Sequence, residues 1–473
     1  MEENNKIDMI LIQENATLRD VMNNIDNSGL GICIIINNEK KIKGILSDGD
    51  IRRAILTGHS IEDSASKIMN KNPTIVTGNF SLKELEKTIK EKKINGKIPI
   101  IDEDGKIIDL AIIPEQKIRF LSKHNVAEMP MKKILITGGA GYLGSILCRK
   151  LLERGYEVRV LDNLTYGDDS IKDLYDNPNF ELKIGDIRHI ENISKNIQDV
   201  NAVVHLAGIV GDPACGLDPQ QTIEQNLLAT MALAQTCKHF QVNRFLFASS
   251  CSVYGENNDV LTEESKLNPI SVYGKDKIES EKAILNLANE NFSPTILRMG
   301  TLYGPSYRMR FDLVLNTITT LAIKEGKFCI FGGNQWRPML HVNDAADAYI
   351  KVLEAPLNKI GREIFNIGSD EGNHKIIDIG KKVKEIIPEA IMEINAEEVD
   401  ERNYRVSFKK LRETLSFEPK KTIKDGIIEI KTMTERGEHI DFRNPKYNNY
   451  IFLKNKNLKE YRSNINFQES SKQ

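Results

Sequence analysis

At 473 residues the chain is longer than one hydrophobic core ordinarily organises, so two or three domains are expected. Its 65 basic and 67 acidic side chains leave a formal charge of -2, which gives no electrostatic basis for a nucleic-acid or anionic-membrane partner. Six scattered cysteines without a CxxC, a polar MEENNKID start and no apolar run near ~20 residues argue against a disulfide framework, a metal cluster, a signal segment and a membrane span. The expected setting is cytoplasmic.

Residues 1–125 alternate short strands and helices in two similar halves. The first, from Ala16 to about Thr57, reads as a helical TLRDVMNNIDNSG, a strand ICIIIN, a turn at NNEKK, and then IKGILSDGDIRRAIL. The second begins near Ser66 with KIMNKNPTIV, a helical SLKELEKTIKEKKI, and IPIIDEDGKIIDLAII. A weak internal repeat of this kind suggests a duplicated α+β unit. Leu121 to Met131 lacks periodicity and reads as a linker.

From Lys132 to about 435 the pattern changes. Apolar strand candidates KILIT, VRVLD, FELKI, AVVHLA, RFLFAS and PTILRM alternate with helix-like stretches. Continuous apolar strands of this sort belong to a parallel sheet covered on both faces. The fold class is therefore α/β, and beyond about Phe311 the pattern becomes more mixed, as a small C-terminal substrate lobe built of insertions would be. Residues 436–473 are polar and are expected to form a tail, disordered from about Asn464.

The strongest local motif is TGGAGYLG, residues 137–144, between a strand and an amphipathic helix. Gly138 and Gly141 permit a tight turn and a close approach to a pyrophosphate, and Gly144 permits close helix–strand packing. Asp162 closes the next strand, where a carboxylate binds the adenosine ribose hydroxyls and repels a 2′-phosphate, so NAD is the expected cofactor. The candidate cofactor contacts are Gly138, Gly141, Tyr142, Leu143, Gly144, Asp162, Asn163, Asp186, Ile187, Leu206, Ala207 and Gly208, joined by Tyr273 and Lys277.

Tyr273 and Lys277 are four apart in a helix-like segment, which places them on one face. A tyrosine near pKa 10 needs neighbouring positive charge to act as a base, and Lys277 could help supply it. Ser250 ends the fifth strand at the same sheet edge.

With these motifs in order, the segment resembles the extended short-chain dehydrogenase/reductase family, in its nucleotide-sugar epimerase/dehydratase group. The matching residues are TGGAGYLG, Asp162, GDI, HLAG, ASSCSVYG, Tyr273-Gly-Lys-Asp-Lys277, LRMGTLYGP and NQWRPMLHVND. The resemblance implies an enzyme with a Rossmann domain, a doubly wound parallel sheet, with bound NAD and a nucleotide-sugar substrate. Tyr273 would be the base, Lys277 its activator, and Ser250 a hydrogen-bond partner of the sugar. Ser252, Thr301, Arg308 and Arg337 would bind substrate, with Arg337 at the diphosphate and Tyr303 also lining the pocket. In 4,6-dehydratases of this group an Asp-Glu pair follows the catalytic hydroxyl residue. Here Cys251 and Ser252 stand there, which favours epimerisation, at C4, over dehydration. Dehydratase, decarboxylase and reductase remain alternatives within the family. A non-catalytic NAD- or nucleotide-sensing protein is the alternative of another class.

GILSDGD, residues 44–50, resembles the signature of a CBS domain. The resemblance implies a tandem CBS module over residues 1–125, with Ser47 and Asp50 holding the ribose of a regulatory adenine nucleotide. Asp48 and Asp50 could instead cap the helix that follows. Both resemblances imply self-association, as a homodimer or larger homo-oligomer.

Overall fold

The computed structural model describes residues 6–77, 96–113, 119–120, 131–289, 292–397, 402–438 and 441–456. It divides into two compact units, Met1–Pro130 and Met131–Gln473. The expected helix SLKELEKTIKEKKI, the linker from Leu121 and the segment after Asn464 fall largely or wholly outside the described residues.

In the first unit, β1 (Leu11–Gln13), β2 (Ile32–Ile36) and β3 (Ile42–Ser47) form one sheet. A second sheet holds β4 (Val76–Thr77), β5 (Gly96–Ile101), β6 (Ile107–Ile113) and β7 (Arg119–Phe120). The unbroken ICIII of β2 is buried along its whole length because it serves two cores. Ile32, Ile34 and Ile36 enter one, and Cys33 and Ile35 the other, as the two-residue period of a strand requires. Helices α1 (Leu18–Ser28) and α2 (Asp48–Leu56) each begin with a capping box, Thr17 with Asp20 and Ser47 with Asp50.

The second unit is built on seven parallel strands: β8 (Lys133–Thr137), β9 (Glu157–Asp162), β10 (Phe180–Ile184), β11 (Ala202–His205), β12 (Arg244–Ser250), β13 (Ser293–Met299) and β14 (Ile364–Ile367). Their spatial order is β10-β9-β8-β11-β12-β13-β14, so the order reverses between β8 and β11. Alternate residues again go to opposite faces. Ile134, Ile136, Val158, Val160 and Val204 join the core that holds α3 (Gly144–Glu153). Leu135, Leu161, Val203, Phe245 and Phe247 face α4 (Ile190–Asn196), α5 (Ala229–His239) and α6 (Val272–Asn286). Such a doubly wound sheet opens a crevice at the carboxyl ends of the strands where the order reverses. Short strands at Thr301–Tyr303, Trp336–His341 and Asn373–Lys375 form part of the lobe beyond that edge. Among the described residues no helix is long and apolar enough to cross a membrane.

Candidate active site

A cavity of about 320 Å³ lies at that edge. Its floor is the glycine-rich turn after β8. Gly138 adopts φ +77°, and a Cβ on it would lie 2.7 Å from the Ala207 nitrogen, so only glycine turns here. At Gly141 an added Cβ would meet nothing nearer than the Gly138 oxygen at 3.1 Å, and the residue lines open cavity. No side chain caps the N-terminus of α3, where the Ser145 N–H donates to the Gly141 carbonyl at 3.0 Å, so no side chain blocks a ligand's approach to the helix end. Asp162 accepts the Ala140 and Leu164 N–H groups at 3.0 and 2.9 Å, and burial raises its carboxyl. This combination fits a dinucleotide: a bare cradle for its pyrophosphate and a carboxylate at the end of β9 for a ribose.

Tyr142, Leu143, Gly144, Asn163, Ile187, Leu206, Ala207 and Gly208 also line the cavity. Asp186 stands beside it. Burial pushes its carboxyl up, but the Arg188 guanidinium at 2.8 Å outweighs this and holds it at about 2. Asn163 Nδ2 donates to the same carboxylate at 3.3 Å.

The constellation from β12 and α6 converges on the other side. Ser250 Oγ accepts the Ser252 N–H at 3.1 Å and stands beside the Tyr273 phenol. Lys277 Nζ donates to the Ala248 carbonyl at 2.7 Å, 5.6 Å from the Tyr273 ring centroid and 4.6 Å from that of Phe247. Burial pulls its ammonium down to about 8. Burial pushes Tyr273 up from its ordinary value, and Ser250, rather than Lys277, is the neighbour that draws it down most. The phenol is therefore neutral in this chain taken by itself.

The comparisons with known proteins agree with this geometry. Residues 134–368 match the NAD dependent epimerase/dehydratase family, and residues 5–57 and 65–110 match the CBS domain. A putative UDP-glucose 4-epimerase of Methanocaldococcus jannaschii is 32% identical over 62% of this chain and 95% of its own length. The chain belongs to the NAD dependent epimerase/dehydratase family. UDP-glucuronic acid decarboxylase 1 of Arabidopsis thaliana is 29% identical over 62% of this chain and 68% of its own. UDP-glucuronic acid 4-epimerase from Bacillus cereus, solved with UDP-glucuronic acid and NAD, superposes with a TM-score of 0.59 at 30% identity, covering 64% of this chain and 99% of that one.

Several positions in this family member differ from expectation. Ser252, Thr301 and Arg308 line the cavity, but Arg337 does not. It is buried in the strand Trp336–His341, donates to the carbonyls of Trp336 and Arg402, and lies 5.5 Å from the Tyr404 ring centroid. Tyr303 is likewise interior, edge-on to His341 at 5.2 Å. Ser47 and Asp50 bond each other at 2.6 Å as the cap of α2, and Asp50 also accepts from Arg53 at 2.6 Å. A groove elsewhere in that unit is lined instead by residues including Gly31, Asp48, Arg52 and Lys97.

Other cavity residues had no motif to mark them. Asp212, in the IVGDPAC stretch, pairs with Arg402, and both line the cavity. Gln225 lies in a π-helical turn, Ile223–Leu228, a local widening that often marks functional sites and that could have drawn attention only through coordinates. Asn449 and Leu453 reach the cavity from the polar C-terminal stretch.

Proposed function

We propose that the second unit is a nucleotide-sugar C4 epimerase acting on a UDP-linked hexose or hexuronate, the substrates named for its relatives. The observation that carries this is the gathering of Tyr273, Ser250 and Lys277 at one end of a cavity whose other end is the dinucleotide cradle. Bound NAD supplies a hydride acceptor and donor at the sugar carbon. The chain's own residues manage the proton and the orientation. With its own proton already lost, the Tyr273 oxygen takes the proton of the sugar O4 hydroxyl as a phenolate and later returns it. Ser250 holds that hydroxyl and the phenol in line, and Lys277 is the buried positive charge that favours the phenolate as the proton moves. The sugar, briefly a ketone, turns over before C4 is rebuilt on its other face.

Dehydration across C5 and C6 needs a further acid and base. Cys251 is 1% exposed, its thiol is pushed up by burial, and it donates to the Arg298 carbonyl. Neither it nor the Ser252 hydroxyl suits that task. The test is product analysis by NMR after incubating the purified chain and NAD with UDP-glucose and UDP-glucuronate. A C4 epimer supports the reading; a 4-keto-6-deoxy sugar or a pentose overturns it.

For the first unit we propose regulation by an adenine nucleotide, held in the groove of Gly31, Asp48, Arg52 and Lys97 rather than by the capped Ser47–Asp50 pair. Glycine and basic side chains there suit a phosphate. Calorimetry of the whole protein with AMP and ATP should show binding that Lys97→Ala weakens; absence of heat with both would end it. Self-association of the whole chain is part of the same proposal.

A further inference from the structure

The match to the family ends at residue 368, yet the cavity is closed by residues far beyond it. Residues 441–456 return to the carboxyl edge of the sheet. The Tyr447 carbonyl accepts the Phe311 N–H at 2.9 Å. Helical residues 449–456 then lie along the opening, with Phe452 5.0 Å from the Tyr166 ring and Leu453 packed into the cluster of Ile209, Ala214 and Cys215 that Tyr273 also touches.

Arg308 is the group this segment handles. It is 8% exposed, lines the cavity, and meets no carboxylate in a salt bridge among the described residues. Its Nε has no partner. Its Nη2 donates to Asn449 Oδ1 at 2.7 Å and to the Lys446 carbonyl at 3.3 Å, and its guanidinium lies 4.0 Å over the Tyr166 ring. Asn449 is itself 2% exposed and fixed at three points: its N–H donates to Asp312 Oδ2 at 3.2 Å, its Nδ2 to the Val210 carbonyl at 3.3 Å, and its Oδ1 receives Arg308. The neighbouring Arg310 differs, being neutralised by Asp312 at 2.8 Å. Asp312 and Asp162 attract Arg308 from farther off but neither bonds it, and a buried cation without a bonded counter-charge is costly unless an anion arrives with the ligand. Guanidinium and phosphate oxygens suit each other in charge and geometry.

We propose that residues 441–456 complete the ligand cavity, with Asn449 as the positioning residue that holds the Arg308 guanidinium for a diphosphate and Leu453 as the wall beside Tyr273. This deepens the epimerase reading and rests on it for the identity of the ligands. Both a dinucleotide and a nucleotide sugar carry a diphosphate, so the two are tested in separate arms.

The experiment titrates the full-length chain calorimetrically with NAD and, separately, with UDP, in the wild type, Asn449→Ala and Asn449→Asp. Asn449→Ala should weaken whichever diphosphate Arg308 meets about tenfold and leave the other within about twofold. Asn449→Asp gives Arg308 a carboxylate. It should weaken the same ligand further while the thermal midpoint does not fall, a combination that a packing role alone does not produce. Unchanged affinity for both ligands in both variants overturns the proposal, as does a loss that is equal for both ligands and follows a lowered thermal midpoint. Titration needs no turnover. A wild type that binds NAD and UDP but converts no sugar would end the epimerase reading and leave this one standing.

Discussion

Arg298 and Arg308 are both nearly inaccessible, at 2% and 8% exposure, but their surroundings differ. Arg298 donates to Glu281 through Nη2 at 2.6 Å and through Nε, and to the Tyr254 hydroxyl at 3.1 Å. Ser249 donates to the same Glu281, and Tyr254 to Asn366 at 2.8 Å. This satisfied network ties the end of β12 to α6 and β13, and so fixes Ser250 relative to Tyr273 and Lys277 without touching a ligand. Arg308 has only neutral partners and faces the cavity. Arg298, which the protein itself neutralises away from the cavity, is scaffold; Arg308, which no carboxylate bonds, marks a binding site.

Substitutions on the cavity side should therefore cost function and spare folding, and those on the scaffold side should do the reverse. Tyr273→Phe should lower kcat about 1000-fold while NAD still binds and the thermal midpoint holds, since only a proton carrier is lost; steady-state kinetics beside calorimetry would show a split, and retained turnover would place the base elsewhere. Glu281→Ala should lower stability by about 3–5 kcal/mol, because Arg298 is left buried and unpaired. Denaturant unfolding measures that loss, and a variant as stable as wild type would mean the pair is not scaffold. Arg308→Met should weaken diphosphate binding about 10- to 100-fold without loss of thermal midpoint.

Lys277 gives the smallest and most graded test. Burial lowers its ammonium from an ordinary 10.5 to about 8. Raising pH through 8 removes the charge that favours the phenolate, so kcat should fall by up to tenfold per unit. Stability should move the other way. Between about 8 and 10.5 the unfolded chain holds the proton that the folded chain has lost, so folding is favoured as pH rises, by up to about 1.4 kcal/mol per unit from this group. Activity and stability changing together across that window would contradict the assignment.

The sheet and the dinucleotide cradle were legible in the sequence because their constraints are local. A glycine at φ +77° against Ala207, a carboxylate closing β9 and a hydroxyl-bearing base four residues from a lysine all leave spacing behind. The sequence is least legible where spacing fits two structures. Ser47 and Asp50 are as well placed for a capping box as for a ribose, and in the structure they bond each other as the cap. Arg337 sits in a motif shared with relatives, but packing against Tyr404 turns it inward. Burial raises Tyr273 in the chain by itself, and burial has no local signature. Asn449 and Leu453 were hidden in a polar stretch because their partners, Arg308 and Ile209, lie far back in the chain.

The central claim is transient oxidation at C4 with the hydrogen restored to the carbon it left. Deuterium placed on C4 of a UDP-hexose measures this most directly. The epimer formed by the purified chain with NAD should keep the label at C4, by NMR and mass spectrometry. Label found at C6, or exchanged into water, would contradict it.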